Sequence, residues 1–197
     1  MNNFLSKTCP VFTLDFHVKV QTNGGLMKLL IAIMTLLSVS AFAKSLPTAK
    51  YVDVNQYVGK WYTITSLPQF FTRKCVGQTA DYAIKTANSI SVLNTCIKKD
   101  GSIQTINGQA VVVNSQTNAE LEVTFNSFWT KLFRVKGDYN ILKLDPSYNV
   151  VLVGSHDLKS MWILARTPYL DEATKTEYLE YAKSLGFDAS KFEDSHY

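Results

Sequence analysis

Gly59-Lys60-Trp61-Tyr62 is the stretch on which the fold of this chain turns. Glycine before a strand lets the backbone approach its neighbours closely. The tryptophan that follows is a large ring placed where a first strand enters an apolar core. On its own such a Trp is ordinary core. Its setting makes it more: short strands follow, and a single Arg, Arg166, stands near the end of the last of them.

Working outward, the chain alternates strand patterns with turn residues. Strands are expected over 61–66, 78–85, 90–97, 103–113, 119–125, 139–145, 150–154 and 161–167. Pro68 ends the first, Lys98-Lys99-Asp100-Gly101 forms a turn, and Gly108 suggests a bend or bulge within the fourth. The fifth alternates most clearly, with Leu121, Val123 and Phe125 on one face and Glu120, Glu122 and Thr124 on the other. The period then changes. Tyr178, Tyr181, Ala182 and Leu185 share one face of a helix, with Asp171 capping its start and Gly186 following its end. The tail beyond it has room for one more short strand. Consecutive strands joined by tight turns make a meander. The expected fold is therefore all-β: an eight-stranded antiparallel up-and-down β-barrel with one C-terminal α-helix packed outside.

The first 43 residues stand apart. Met27-Lys28 precedes an apolar run over 29–39 and then Ala41-Phe42-Ala43, which reads as a secretory signal peptide over 27–43, cut after Ala43. The apolar run is short for a bilayer span. Residues 1–26 read as a mis-assigned start, with Met27 the true start, or as a long leader. No Cys follows the apolar run, so a lipid-anchored N-terminus is not expected. Residues 44–197 then form a single secreted or periplasmic domain, with 17 Lys and Arg against 15 Asp and Glu. That small excess favours no particular macromolecular partner and argues against nucleic acid. A hydrophobic content of 46% supports a buried core. Two cysteines remain in this part, Cys75 and Cys96, and in a secreted chain they suggest one disulfide; a free, reactive Cys75 is the rival reading.

Three further runs extend the pattern: Gly137-Asp138-Tyr139-Asn140 with Leu142, Leu144 and Asp145; Trp162-Ile163-Leu164-Ala165-Arg166-Thr167-Pro168; and Gly186-Phe187-Asp188 with Ser190-Lys191-Phe192. With Gly59, Trp61 and Tyr62, in this order and across residues 50–193, the chain resembles a lipocalin, in particular the bacterial outer-membrane and apolipoprotein D-like branch. The resemblance implies that Trp61 closes the barrel floor with Arg166 stacked on it. It also implies that these residues are structural and that the ligand is a fatty acid or lysophospholipid, with retinoid- or bilin-like molecules behind. One departure is Leu144-Asp145-Pro146, where the family usually carries Thr-Asp-Tyr.

Catalytic groups are few. His156 and His196 are the histidines of residues 44–197, and no nucleophile triad, metal-spacing motif or phosphate loop accompanies them. No metal and no cofactor is expected, and no enzyme activity; the enzymatic alternative is a thiol-dependent isomerase using a free Cys75. Binding is the preferred reading. Strand alternation points Tyr82, Val92, Asn94, Val123, Phe125, Tyr139, Ile141, Trp162 and Leu164 into the barrel, a lining suited to a long apolar ligand with one polar end. A barrel filled by these side chains, acting on a protein partner through its mouth loops, is a further alternative. Those loops interleave Phe70, Phe71, Phe128, Trp129 and Phe133 with Arg73, Lys74, Lys131 and Arg134. Aromatic and cationic residues mixed in this way suit an anionic membrane surface.

Overall fold

The computed structural model describes residues 46–126 and 136–197. The leader, the signal segment and the loop residues Phe128, Trp129, Lys131, Phe133 and Arg134 lie outside the described residues. Eight antiparallel strands follow one another around a ring: β1 (Gly59–Ser66), β2 (Cys75–Thr86), β3 (Ser89–Lys98), β4 (Ile103–Val112), β5 (Glu120–Phe125), β6 (Gly137–Leu144), β7 (Val150–Gly154) and β8 (Met161–Ala165). Each pairs with its sequence neighbours, and β1 pairs with both β2 and β8, so the barrel closes. A four-residue helix, α1 (Val54–Tyr57), precedes β1, and α2 (Glu172–Leu185) follows β8. A two-residue strand, β9 (Glu193–Asp194), lies against β1.

Closure requires β1 to change partners. Its first half pairs with β2, from Gly59 opposite Tyr82 to Tyr62 opposite Thr79. From Tyr62 opposite Ala165 to Ser66 opposite Trp162 it pairs with β8, with a bulge between Thr63 and Thr65. The tail fills the gap that opens between β1 and β2. Ser195 donates its N–H to the Ile64 carbonyl, His196 donates to the Val76 carbonyl, and the Tyr197 hydroxyl lies 2.9 Å from the Thr63 carbonyl. Gly77 makes the space for this, since a Cβ there would sit 2.9 Å from the Tyr197 ring.

Apolar side chains form two layers. The inner one includes Val52, Tyr57, Trp61, Val92, Leu121, Val151 and Val153. The outer one sets Ile64, Leu142, Leu152, Met161 and Ile163 beneath Tyr178 and Ala182 of α2 and Phe187 beyond it. Because both faces of β7 are covered, all five of its residues are buried, which accounts for its unbroken run of Val and Leu. The expected caps are in place on α2: the Asp171 carboxylate accepts from the Thr174 N–H, and Gly186 takes the left-handed conformation at φ 104°.

Two readings of the sequence change. The lead-in before β1 contains α1, capped by the Asp53 carboxylate, which accepts from the Asn55 N–H. Gly108 is not a bulge: β4 pairs in unbroken register through it, opposite Val92 and Phe125. The glycine is needed for close approach instead, because a Cβ there would stand 2.7 Å from the Thr124 carbonyl oxygen and 2.9 Å from the Phe125 ring. Gly108→Ala should therefore lower stability by about 1–3 kcal/mol through overpacking. Urea unfolding should show a lower midpoint with an unchanged slope.

Candidate functional site

The barrel floor is built on Trp61. Its ring is fully buried, and the Arg166 guanidinium lies 3.8 Å from the ring centroid. Arg166 also ties the floor together through backbone carbonyls. It donates to Tyr148 from Nε, to Lys60 from Nη1 and to Gln56 from Nη2 at 2.7 Å. Gly59 leaves room for the guanidinium, since a Cβ would come within 3.2 Å of it. The Trp61 indole N–H donates to the Tyr57 carbonyl at 2.8 Å. Tyr62, one residue on, faces outward and meets the Tyr197 ring edge-on. The unusual Asp145 turn is closed by its own carboxylate, which accepts N–H bonds from Ser147, Asn149 and Val150.

Strand register places the nine residues read as lining on one face. Tyr82 is opposite Val92, and Asn94 is opposite Ile106 across β3 and β4. Ile141 is opposite Val153, which in turn faces Trp162, and Leu164 is opposite Val151. Tyr82, Val92, Val123, Ile141 and Leu164 are buried in the inner cluster, with Phe125, Tyr139 and Trp162 packed against it. Following the same register, the described residues on the inner face of the eight strands include one charged side chain, Lys98, at the mouth end of β3 opposite Cys75.

Among the polar groups of the inner face, which include Thr63, Gln78 and Gln104, two features stand out. The Tyr57 and Tyr139 hydroxyls are 2.6 Å apart, and those of Tyr82 and Tyr139 are 3.1 Å apart. Tyr57 also stacks on Tyr82, with centroids 5.9 Å apart. Burial pushes all three phenols well above the ordinary tyrosine pKa, so they stay neutral. The second feature is Asn94, whose Oδ1 is buried without a hydrogen-bond partner. Tyr57 was not legible as a lining residue, because it lies on α1, in a lead-in without strand alternation.

Cys75 and Cys96 form a disulfide, with Cα atoms 5.2 Å apart, which pins the start of β2 to β3. The free Cys75 thiol that an isomerase would need is therefore not present. Among the described residues, no group of three or more His, Cys, Asp or Glu gathers to hold a metal. An open surface groove of about 710 Å³ crosses β3 and β4, lined by Lys85, Ser91, Asn107 and Asn126 among others. It is polar and unenclosed, and offers nothing to an apolar chain. At the mouth end Phe70 is 83% exposed and Phe71 70% exposed, and the Arg73 guanidinium sits 5.5 Å from the Phe70 ring.

Comparison with known proteins agrees with this geometry. The family model described as a Lipocalin-like domain matches residues 52–196. The chain belongs to the lipocalin family. Lipocalins bind small hydrophobic ligands. The chain is 34% identical to outer membrane lipoprotein Blc of Escherichia coli (strain K12) over 142 residues, covering 71% of this chain and 76% of that protein. It is 31% identical to apolipoprotein D of Bos taurus over 152 residues, covering 74% of this chain and 77% of the relative. Among solved structures, insecticyanin from the tobacco hornworm Manduca sexta matches with a TM-score of 0.60 at 20% identity, over 77% of this chain and 84% of that one.

The buried phenols couple this lipocalin's stability to alkaline pH. Their folded-state pKa values lie above the ordinary value of 10.0, whereas the unfolded chain ionises near it. Above that pH the unfolded state binds fewer protons than the native one, so stability falls as pH rises. Urea midpoints should hold steady up to about pH 10 and drop beyond it. A Tyr57→Phe, Tyr82→Phe, Tyr139→Phe triple variant should show a shallower drop.

Proposed function

We propose that this lipocalin binds and carries a single-chain lipid, a fatty acid or lysophospholipid, within the barrel, serving the transport or upkeep of membrane lipids. The observation that carries the reading is the inner face, where Val92, Val123, Ile141, Trp162 and Leu164 present apolar side chains within or against one buried cluster. Burying an alkyl chain there stabilises the complex by roughly 25 cal/mol per Å² of apolar surface removed from water. The process needs no covalent chemistry. The likeness to an outer membrane lipoprotein and to apolipoprotein D supports a lipid in place of a polar metabolite. A secreted or periplasmic setting accords with the segment read as a signal peptide.

Trp162 supplies the test. It packs against the inner cluster from β8, opposite Val153 and Ser66. Delipidated protein titrated with a lysophospholipid or a fatty acid should show a saturable, one-to-one change in tryptophan fluorescence. A Trp162→Ala variant that remains folded should bind roughly tenfold more weakly. Absence of any saturable change in folded protein would favour a barrel filled by its own side chains and acting on a protein partner.

A second reading concerns how the ligand is reached. Phe70 and Phe71 stand exposed beside Arg73 and Lys74 in the β1–β2 loop, at the end of the barrel that also carries Lys98 and Lys99. Two exposed rings next to cations suit insertion at an anionic membrane interface. The loop segment with Phe128, Trp129, Lys131, Phe133 and Arg134 extends the same composition in sequence. Sedimentation with anionic vesicles should recover the protein at low salt, and Phe70→Ser with Phe71→Ser should weaken that binding about tenfold or more. Equal recovery with neutral and anionic vesicles would end this reading.

A further inference from the structure

Asn94 is the one described residue with a buried side-chain oxygen or nitrogen lacking a hydrogen-bond partner. It lies on the inner face of β3, between Ala80 of β2 and Ile106 of β4. No hydrogen bond joins its amide nitrogen to another described residue either. A buried acceptor without a donor is costly, and proteins rarely keep one without a use. Close by, Val92 sits one inner-face position nearer the floor, directly opposite Tyr82. Tyr82, Tyr139 and Tyr57 are joined by two hydrogen bonds. Two bonds consume two hydroxyl protons of the three, so one phenol proton is left to donate.

The barrel wall therefore offers an unspent acceptor and amide donor at Asn94 and an unspent O–H donor in the tyrosine cluster. From these we infer that Asn94 and the tyrosine cluster form a subsite for an uncharged hydroxyl group on the ligand, of the kind carried by the glycerol unit of a lysophospholipid and reproduced by a long-chain alcohol. A hydroxyl donates once and accepts twice, so it completes the Asn94 carboxamide in either orientation of the amide. An ionised carboxylate only accepts. It would leave Oδ1 unpaired and would lose its hydration beside Asn94, where the one cation that register brings to this face among the described residues, Lys98, stands two inner-face positions away at the mouth end. The inference rests on the carrier reading and narrows it: among single-chain lipids of one length, the uncharged alcohol binds more tightly than the ionised acid.

Dodecanol, dodecyl methyl ether and laurate share one alkyl chain and differ at its end. Tryptophan fluorescence titrations of the full chain at neutral pH should rank dodecanol about tenfold tighter than the ether or the acid, the worth of one well-made buried hydrogen bond. Asn94→Leu keeps the side-chain volume and removes both polar atoms. It should abolish the preference for alcohol over ether. The ligand-side comparison uses unmodified protein, so it stands even if the variant folds poorly. Dodecanol binding no tighter than the ether, or a folded Asn94→Leu variant that keeps the full preference, overturns the inference alone. Saturable binding by none of the three overturns the carrier reading together with it.

Discussion

The stack of Arg166 on Trp61 is the contact on which the rest of this barrel depends. A single guanidinium reaches the carbonyls of Gln56, Lys60 and Tyr148 and covers the Trp61 ring at 3.8 Å. It thereby holds α1, the start of β1 and the β6–β7 turn against the end of β8. Lysine would supply the charge but neither the planar face nor the fork of donors. With the floor fixed in this way, the strands rising from it can present one face inward and the other outward without slipping in register.

The two faces solve different problems. Outside, β7 and β8 lie under the outer cluster with α2, so their outer residues are as apolar as their inner ones. Elsewhere the outer faces are more polar, as Lys85 and Ser91 on β2 and β3 illustrate. Inside, the apolar lining is interrupted by hydroxyls and carboxamides, and its one charged residue among those described, Lys98, stands at the mouth end. The chemistry of this interior is therefore that of a solvent for alkyl chains with a few fixed dipoles. Specificity in such a place comes from the alignment of those dipoles, and affinity comes from area.

How much of this could be read from the chain varies with the physical signal. The strands announced themselves where one face was wet. Leu121, Val123 and Phe125 alternate with acids and Thr, and their strand was placed to within one residue of its observed start. β7 lacks alternation, yet the turn residues before it set it off as a strand over 150–154, as observed; its burial on both faces was not read. Gly108 was misread because a glycine in a strand signals either a bulge or a close approach, and only the neighbouring strand, with Thr124 and Phe125, decides between them. Which residues share the inward face was legible wherever alternation held. Tyr57 was hidden because α1 is four residues long and has no period to show. The missing partner of Asn94 is a property of packing across β2, β3 and β4, and no local pattern carries it.

The shared role of β1 also shapes the order in which this molecule can be completed. β1 is bounded by β2 on one side, by β8 about a hundred positions further along, and by β9 and the residues after it where the two part. Until residues 161–197 have emerged from the ribosome, β1 and the mouthward part of β2 present unpaired backbone edges to whatever is nearby. Distant pairing of this kind is slow to find. The nascent barrel thus keeps an open edge for most of its synthesis, and it can close only when its final segment arrives.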